Sequence, residues 1–234
     1  MNARYQRQLI LPEIGEAGQQ KLREASVLIV GAGGLGSPLA LYLAGAGVGR
    51  LGIVDDDAVS VTNLQRQVLY TEHQVGEPKA LHARERLLAL NGDICVEAYP
   101  VRLTEENAAE LIARYDIVAD GCDNFATRYL LNDVCVRLGK PYVYGAITEL
   151  DGQVSVFNYP PGEGATYRDL YPSEEEMRRM PPPPKGVVGV TPGIVGCVEA
   201  NEVLKLICGY GELLAGRLWT IDLRTLESHI LSLR

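Results

Sequence analysis

The side chains of this sequence best suited to chemistry are amides and cations that follow a glycine-rich loop. Asn63, Arg66 and Gln67 fall in one short stretch, and Lys79 follows a Gly-Glu-Pro sequence. Arginine offers phosphate oxygens a rigid, permanently charged fork, and lysine supplies a point charge for outer phosphates. Either cation alone is explained more simply as a solvated charge on a surface turn. Together with the loop they indicate a site where a bound phosphate is also attacked.

The glycine-rich loop itself matches the pattern G-x-G-x-x-G. Its glycines are Gly31, Gly33, Gly34 and Gly36. An apolar run at 27–30 precedes the loop, and a helical pattern at 35–46 follows it. In that context glycines let backbone N–H groups approach phosphates at a helix N-terminus, although tight packing of strand on helix is an alternative. The motif predicts nucleotide binding without distinguishing NAD from ATP.

Carboxylates occur directly after two of the predicted strands. Asp55 ends the second strand, at about the spacing where an acidic residue binds ribose hydroxyls. Of the next two acids, Asp56 is typical of a solvated loop and Asp57 is the better functional candidate. Asp123 follows the fourth strand, where a carboxylate can hold Mg²⁺ while phosphates supply other ligands. The alternative is that Asp123 caps the next helix, a role that Asn124 could also fill.

The alternation of apolar runs and helical patterns predicts the elements that carry these residues. The predicted strands are 27–30, 51–54, 93–99, 117–120, 142–146, 153–159, 218–223 and 229–233. The predicted helices are 35–46, 79–90, 105–113 and 125–138. This alternation predicts an α/β fold with a Rossmann-like, doubly wound, mainly parallel sheet. Short turns between the last strands predict a C-terminal antiparallel extension.

Length and segment composition indicate how the chain is organised. Its 234 residues suit a single domain spanning 1–234, with an N-terminal helical segment at 1–25 that Pro12 and Gly15 interrupt. Residues 160–186 form a predicted long polar crossover loop that includes a proline run at 181–184. The charges at 174–179 are typical of a solvated surface, although they could contact a partner across the site.

Composition excludes several other classes of protein. The net charge is −8, with 22 basic and 30 acidic side chains, so a broad basic surface for nucleic acid is not expected. No apolar stretch is long enough to span a bilayer, and the N-terminus has no export signal, so no membrane role is expected. Five scattered cysteines without a C-x-x-C pair predict reduced thiols in a cytoplasmic protein.

The motifs jointly resemble the ThiF/MoeB/HesA family of ubiquitin-activating-like adenylyltransferases, over nearly the whole chain and in order. The matching segments are 4–8, 31–36, 55–57, 63–67, 76–79, 123–124, 144–146 and 152–154. The resemblance implies ATP-dependent adenylylation of the C-terminal glycine of a ubiquitin-like, ThiS/MoaD-like sulfur carrier ending in Gly-Gly, with release of pyrophosphate. Such carriers serve thiamine or molybdopterin-type biosynthesis. A sulfurtransferase or cysteine desulfurase is then implied as a further partner.

The same resemblance implies a role for each site residue. Asp55 would hold the ribose of ATP, and Asp123 would bind Mg²⁺. The implied nucleotide-binding set is Gly31, Gly33, Gly34, Gly36, Asp55, Asp57, Asn63, Arg66, Gln67 and Lys79. The implied catalytic set is Arg7, Arg66, Lys79 and Asp123. Arg7 would reach the partner's site in a two-fold homodimer; without the resemblance it would be taken as an exposed terminal charge.

The sequence departs from the family pattern in its cysteines. Many relatives hold a structural zinc with two C-x-x-C pairs, but the first pair is replaced by 166–169 and the chain stops before the second. No zinc is therefore expected, since the site needs its thiolates. No cysteine lies between Cys135 and Cys197, so adenylation is predicted without a covalent loop-cysteine intermediate. Cys122, beside Asp123, could lie near the nucleotide, but it is interpreted as a small buried packing residue.

Two other classes of function remain open from the sequence. A nucleotide-binding regulatory or scaffold module could keep the pocket and lose turnover, which the missing cysteines favour and the intact cations oppose. An NAD-dependent oxidoreductase would explain the glycine loop and Asp55. It would leave the stretch from Asn63 to Lys79 unexplained, and no clear acid or base for hydride transfer is present.

Overall fold

The core of the fold is one eight-stranded sheet. A computed structural model describes residues 3–180 and 186–233, so the predicted proline run at 181–184 lies outside the described residues. The strand order is β3-β2-β1-β4-β5-β6-β7-β8. The strands are β1 (Ser26–Val30), β2 (Arg50–Val54), β3 (Cys95–Tyr99), β4 (Ile117–Asp120), β5 (Tyr142–Thr148), β6 (Asp151–Phe157), β7 (Arg217–Asp222) and β8 (Glu227–Ser232).

Helices connect these strands and cover both faces of the sheet. They are α1 (Gln6–Leu9), α2 (Gly15–Glu24), α3 (Gly36–Ala46), α4 (Lys79–Leu90), α5 (Ala108–Ala113), α6 (Phe125–Leu138), α7 (Tyr167–Leu170), α8 (Glu174–Arg179) and α9 (Val190–Cys208). Short 3-10 turns occupy Ala3–Tyr5, Val61–Asn63 and Glu72–Gln74. No helix in the described ranges is long and apolar enough to cross a bilayer.

The sheet is parallel from β3 to β5 and antiparallel from β5 to β8, which confirms the predicted fold class. Successive residues of the parallel strands enter different cores. Ile29 packs in the core beneath α3, α4 and α9, whereas Leu28 packs in the core beneath α5 and α6. Burial on both faces explains why these strands have continuous apolar sequences.

The strand order reverses beside β1, and this reversal creates a crevice. The chain moves outward from β1 to β2 and β3, then returns to β4 on the other side of β1. Ligands of open α/β sheets bind outside the carboxyl ends of the strands at such a point. Asp55 follows β2, Gly31 follows β1 and Asp123 follows β4. The candidate residues therefore share one edge of the sheet.

Helix α9 was not predicted, although its 19 residues make it the longest helix described. Pro192, Gly193 and Gly196 lie in its sequence, and such residues usually interrupt helices. Pro192 falls in the first turn, where a missing N–H is tolerated. A Cβ on Gly196 would lie 2.5 Å from the backbone oxygen of Leu35, so this glycine allows α9 to approach α3 closely. Tertiary contact therefore gives these residues a place in the helix.

The prediction of a loop over 160–186 is wrong in part, because α7 and α8 lie within it. Tyr167 of α7 is fully buried, and Arg168 donates to both carboxylate oxygens of Asp133 on α6. The charges at 174–179 form helix α8, where glutamates pair with arginines four residues later. Packing on α6 thus orders a segment whose composition is typical of a loop.

The N-terminal segment is helical and interrupted between Leu9 and Gly15, as predicted. Just before α1, Tyr5 lies at the C-terminal ends of α3 and α4. Its hydroxyl accepts a hydrogen bond of 2.8 Å from Asn91, which also donates to the carbonyl of Ala44 at 2.7 Å. These contacts fix the N-terminus at the end of the helices that is opposite the glycine loop.

Candidate active site

The glycine loop between β1 and α3 is shaped by two close backbone contacts. Gly31 has φ of +93°, which glycine adopts at no steric cost, and a Cβ there would lie 2.5 Å from the carbonyl oxygen of Gly121. A Cβ on Gly36 would overlap the carbonyl oxygen of Gly31. These two glycines therefore let the ends of β1, β4 and α3 meet. Gly33 and Gly34 face side chains instead.

Asp55 and Tyr70 hold the peptide groups of Ala32 in this loop. The Asp55 carboxylate accepts from the Ala32 N–H at 2.7 Å and from the Asp57 N–H at 2.9 Å. The buried Tyr70 hydroxyl donates to the Ala32 carbonyl at 2.8 Å. Burial raises the pKa of Asp55, and the Ala32 hydrogen bond opposes that rise. Asp55 thus shapes the loop, and its remaining lone pairs can accept from a ribose. Tyr70 had no motif to mark it.

Lys79 begins α4 and points to the same edge. Its ammonium lies 2.8 Å from the Asp57 carboxylate, and its side chain is only 5% exposed whereas that of Asp57 is 70% exposed. The interpretation of Lys79 as a solvated surface charge is therefore wrong. A buried lysine with one exposed acidic partner can exchange that partner for the oxygens of an incoming anion.

The turn from Asn63 to Gln67 packs against the glycine loop. The Asn63 carbonyl accepts from the N–H groups of Arg66 and Gln67, both at 3.0 Å. The Arg66 guanidinium donates to the Thr62 carbonyl at 3.1 Å, and the Arg66 side chain lies near Gly34. These contacts hold a second cation beside the loop.

Gln67 carries a buried amide group directed at the glycine loop. Its amide nitrogen lies 3.4 Å from the position of a Cβ on Gly33, and its side-chain oxygen has no hydrogen-bond partner among the described residues. A buried polar atom without a partner is costly. The oxygen without a partner among the described residues and the two nearby cations fit a polar ligand such as a nucleotide.

Asp123 lies three residues after the end of β4, at the carboxyl edge of the sheet. Its side chain is exposed, and the next helix is capped by Asn124, whose side-chain oxygen accepts from the Thr127 N–H at 2.9 Å. The alternative that Asp123 caps this helix is therefore wrong. No cluster of three or more His, Cys, Asp or Glu able to hold a metal occurs in the part of the chain described. A cation at Asp123 would thus need the ligand's own oxygens.

A buried ionic network behind Asp123 was not predicted from the sequence. Asp120 is fully buried and accepts from the Arg128 guanidinium at 3.1 Å and from the Tyr142 hydroxyl at 2.7 Å. The Cys122 thiol also donates to Asp120, at 2.6 Å. Burial, and then the Asp120 charge, raises the pKa of Cys122 well above its usual range. The prediction that Cys122 is buried is confirmed, and its thiol makes a hydrogen bond in addition to packing.

Glu199 on α9 is a second buried acid that the sequence did not single out. It is fully buried against Gly145 of β5, and neither carboxyl oxygen has a partner among the residues described. Burial, and then the nearby Asp120 charge, raises the pKa of Glu199 well above its usual value, while Arg128 opposes the rise. Burial without a partner among the described residues therefore favours the protonated, neutral form of Glu199.

Arg7 is the one candidate that the structure places away from the site. It is exposed on α1, and the neighbouring Gln8 donates to the carbonyl of Ala46 at the C-terminal end of α3. The glycine loop lies at the other end of α3, whose 11 residues span about 16 Å. Arg7 therefore does not join the site of its own chain.

The remaining candidates form one surface at the carboxyl edge of the sheet. Arg66 and Gln67 lie beside the glycine loop, Lys79 pairs with Asp57 after β2, and the exposed Asp123 follows β4. Such a surface can neutralise and orient a polyphosphate chain. Among the described residues, the Cys122 thiol lies next to this surface, but it is buried and its pKa is raised, so it is not placed as an activated nucleophile.

The comparisons with known proteins identify the family. The sequence profile of the ThiF family matches residues 5–234, and the chain belongs to that family, as the resemblance predicted. A sulfur carrier protein adenylyltransferase of Thermus thermophilus is 55% identical over 230 residues, which cover 94% of this chain and 82% of that protein. The probable adenylyltransferase/sulfurtransferase MoeZ of Mycobacterium tuberculosis is 47% identical over 242 aligned positions, covering 99% and 60%.

The chain matches only part of the length of some relatives, and it shares its fold with solved structures. The chain spans 60% of MoeZ and 50% of the adenylyltransferase and sulfurtransferase MOCS3 of Anopheles gambiae, which is 50% identical. Among solved structures, E. coli MccB with ATP superposes with a TM-score of 0.86 at 25% identity, covering all of this chain and 72% of MccB. The solved structure has the same fold as this chain, and the relatives similar in sequence are named adenylyltransferases.

We predict that Glu199→Gln raises stability increasingly as pH rises. A carboxyl whose pKa is higher in the folded state stabilises the protein below its unfolded pKa, near 4.5, and this contribution is lost as pH rises. Glutamine has the same shape and does not titrate. The melting temperature of the variant relative to the wild type should therefore increase between about pH 4.5 and about pH 7.5.

The control for this prediction is Glu202→Gln on the same helix. Glu202 pairs with Lys205 and accepts from the Leu214 N–H, so glutamine breaks an ion pair and should lower the melting temperature at neutral pH. A difference between Glu199→Gln and wild type that stays constant over this pH range would contradict a neutral Glu199.

Proposed function

We propose that this protein is an ATP-dependent adenylyltransferase that activates the C-terminal glycine carboxylate of a ubiquitin-like sulfur carrier protein. The observation that carries the proposal is that Arg66 and Gln67 lie beside the glycine loop and that the buried Lys79 pairs with Asp57, next to the Asp55 that holds the loop. The 55% identity to a sulfur carrier protein adenylyltransferase of Thermus thermophilus supports the substrate class. The similarity to MccB crystallised with ATP supports the nucleotide.

The reaction is a displacement at phosphorus. A carboxylate oxygen of the carrier forms a bond to the α-phosphorus of ATP, the bond from that phosphorus to the bridging oxygen breaks, and pyrophosphate leaves with the electron pair. The buried Lys79 and the Arg66 fork neutralise the charge that develops on the phosphate oxygens. Asp55 fixes the loop and accepts from the ribose. Asn63 and Gln67 orient the polyphosphate through their amide groups.

Asp123 would hold Mg²⁺, which supplies charge neutralisation on the phosphates when bound. The fit rests on one exposed carboxylate that the Asn124 cap leaves available, after the strand next to the one that leads into the glycine loop. The backbone of 121–124 fixes the position of that carboxylate. Gly31, Gly33, Gly34 and Gly36 form the loop whose backbone N–H groups would contact the phosphates at the start of α3.

The carrier would serve thiamine or molybdopterin-type biosynthesis. The acyl adenylate product must then react with a sulfur nucleophile from outside this site, because the adjacent Cys122 thiol is buried and its pKa is raised. A sulfurtransferase or a cysteine desulfurase is the class of partner that supplies such sulfur. All five cysteines are free thiols, which suits the cytoplasm as the place of this chemistry.

The protein would act as a homodimer. A groove of about 910 Å³ lies between α3 and α9, and its lining is almost entirely apolar. Its walls include Leu41, Tyr42, Ile194, Cys197 and Val198. Tyr42 is 61% exposed and Val190, at the start of α9, is 59% exposed. A contiguous exposed apolar surface of this kind is typical of a protein interface, and a second copy is its proposed occupant.

Arg7 gives this dimer a functional role. It is too far from its own glycine loop to act there, because about one helix length separates them. In a two-fold dimer, both copies would contribute an Arg7 to the facing site. The added cation would join Arg66 and Lys79 at the polyphosphate, so that each site needs two chains.

The proposed activity is tested by ATP–pyrophosphate exchange with Mg²⁺ against a panel of carriers ending in Gly-Gly. Exchange that depends on one carrier, together with an AMP adduct on that carrier by mass spectrometry, is the expected result. ATP binding without exchange for any carrier would favour a regulatory module. A change in NADH fluorescence on mixing, with no ATP binding, would favour an oxidoreductase.

We predict that Asp123→Ala lowers Mg²⁺-dependent exchange by about a hundredfold or more, since a bound metal supplies several kcal/mol of charge stabilisation. The melting temperature should stay close to that of wild type, because the Asp123 side chain is exposed. Asp56→Ala removes the same charge from an exposed residue at the same edge and should keep full exchange. Full exchange in Asp123→Ala would exclude the proposed metal role.

We predict that Arg7→Ala and Arg66→Ala homodimers are both inactive and that mixed dimers of the two variants regain activity. In a mixed dimer, one site lacks both arginines and the other retains both. Exchange should therefore reach about half of the wild-type value. Purified heterodimers carrying two different tags, verified by mass, provide the sample. An inactive heterodimer would rule out shared sites.

A further inference from the structure

The buried Asp120–Arg128 pair lies directly behind the loop that carries Asp123. Asp120 is the last residue of β4, and Arg128 extends from the first turns of α6 beneath the 121–124 loop. The Asp120 side chain is fully buried, and that of Arg128 is 8% exposed. Neither residue is accessible to a ligand at the edge of the sheet, so any role in the reaction must be exerted through other residues.

Both backbone groups of Cys122 are held by this pair. One Asp120 oxygen accepts from the Cys122 N–H at 2.9 Å, and the Arg128 guanidinium donates to the Cys122 carbonyl at 2.8 Å. Residue 123 follows immediately, and Asn124 is fixed in turn by its capping bond to Thr127. Asp123 is therefore suspended between two anchored neighbours. Its own side chain stays exposed and available at the end of the strand.

The pair also joins this loop to the neighbouring strand. The same guanidinium nitrogen that binds Cys122 donates to the carbonyl of Gly145 on β5 at 3.1 Å. The Tyr142 hydroxyl of β5 donates to Asp120 at 2.7 Å, and the guanidinium lies 5.4 Å from the ring centre of Tyr144. The loop is thus tied to a rigid strand and cannot shift independently of it.

Stability alone gives no reason to bury these charges. A buried ion pair must offset a large desolvation cost, and apolar residues of similar volume often stabilise a protein as well or better. What apolar residues cannot do is bind an N–H and two carbonyls in fixed directions. The arrangement resembles the outer shell of metal sites, where hydrogen-bonded partners orient the residues that bind the ion.

We propose that the Asp120–Arg128 pair is the positioning device that holds the Asp123 carboxylate in place for the divalent cation of the nucleotide complex. The proposal rests on the proposed function, since it gives Asp123 the metal. Arg128 and Asp120 are positioning residues. They fix the Cys122 peptide, and through it the direction in which the Asp123 side chain leaves the sheet.

The test is Arg128→Lys, which keeps the positive charge but loses the fork that reaches Cys122 and Gly145 together. Mn²⁺ binding is measured by electron paramagnetic resonance in the presence of a non-hydrolysable ATP analogue, with no turnover needed. We expect Mn²⁺ affinity to fall by about 10- to 100-fold, the range for residues that support metal ligands. Affinity for the analogue without metal should stay at the wild-type value.

Two further variants separate positioning from loss of stability. Arg168→Lys is the matched control, because Arg168 also pairs with a carboxylate on α6, Asp133, but on the surface away from the loop. It should leave Mn²⁺ affinity unchanged. Tyr142→Phe removes only one hydrogen bond to Asp120. It is expected to fold and therefore tests the inference even if Arg128→Lys does not fold. It should weaken Mn²⁺ binding by about two- to tenfold.

The possible outcomes distinguish this inference from the proposed function. If Asp123→Ala abolishes Mn²⁺ binding while Arg128→Lys and Tyr142→Phe both bind Mn²⁺ as wild type, the positioning role is overturned and the metal role of Asp123 stands. If Asp123→Ala itself binds Mn²⁺ normally, the assignment of the metal to Asp123 is wrong, and the positioning role is overturned with it. Weaker Mn²⁺ binding in Arg128→Lys and Tyr142→Phe but not in Arg168→Lys supports the inference.

Discussion

The contact between the ends of β1 and β4 is the constraint on which the rest of the site depends. At Gly31 and Gly121 the two backbones approach so closely that a Cβ on Gly31 would lie 2.5 Å from the opposing carbonyl oxygen. The start of α3 joins the same contact through Gly36. Because the strand order reverses here, the two chain segments diverge beyond it and leave a crevice. The other candidate residues, except Arg7, follow the strand ends around that crevice.

The acids around the crevice differ in role because their surroundings differ. Asp55 is committed to backbone N–H groups and shapes the loop, while Asp57 is exposed beside Lys79. Asp120 is buried against Arg128, whereas Asp123, three residues later, is exposed. Glu199 is buried, and neither of its carboxyl oxygens has a partner among the described residues. A site with five carboxyl groups nearby can therefore bind an anionic ligand, because few of these groups present an unpaired negative charge to it.

Helices α3 and α4 separate the N-terminal segment from the glycine loop, although the proposed function needs Arg7 at such a loop. Helices α3 and α4 begin at the glycine loop and end near Tyr5, so the N-terminal segment lies a helix length from its own site. The exposed apolar groove between α3 and α9 is the surface through which a second chain could bridge that distance. Dimerisation and catalysis would then depend on the same helices.

The sequence by itself determined the parallel sheet, its antiparallel extension and the set of polar residues at its edge, because short-range patterns encode them. The helical period of the apolar residues, and the glycine and proline residues that flank it, predicted α4 at Lys79–Leu90 and α6 at Phe125–Leu138 to the residue. The glycine pattern and the amide-rich stretch after it indicated nucleotide chemistry through local spacing alone. The family was identified from the order of these motifs.

Only the tertiary structure decided which of those residues meet and what lies behind them. The helix at Val190–Cys208 contains Pro192 and Gly196, whose suitability depends on packing against α3. The short helices of the crossover segment likewise form on α6. Asp120 and Arg128 are close in sequence, but their partners on β5 and the nearby Glu199 on α9 are not, so no local pattern could mark these buried residues. Their burial, and hence their protonation and pairing, is set by the assembled core.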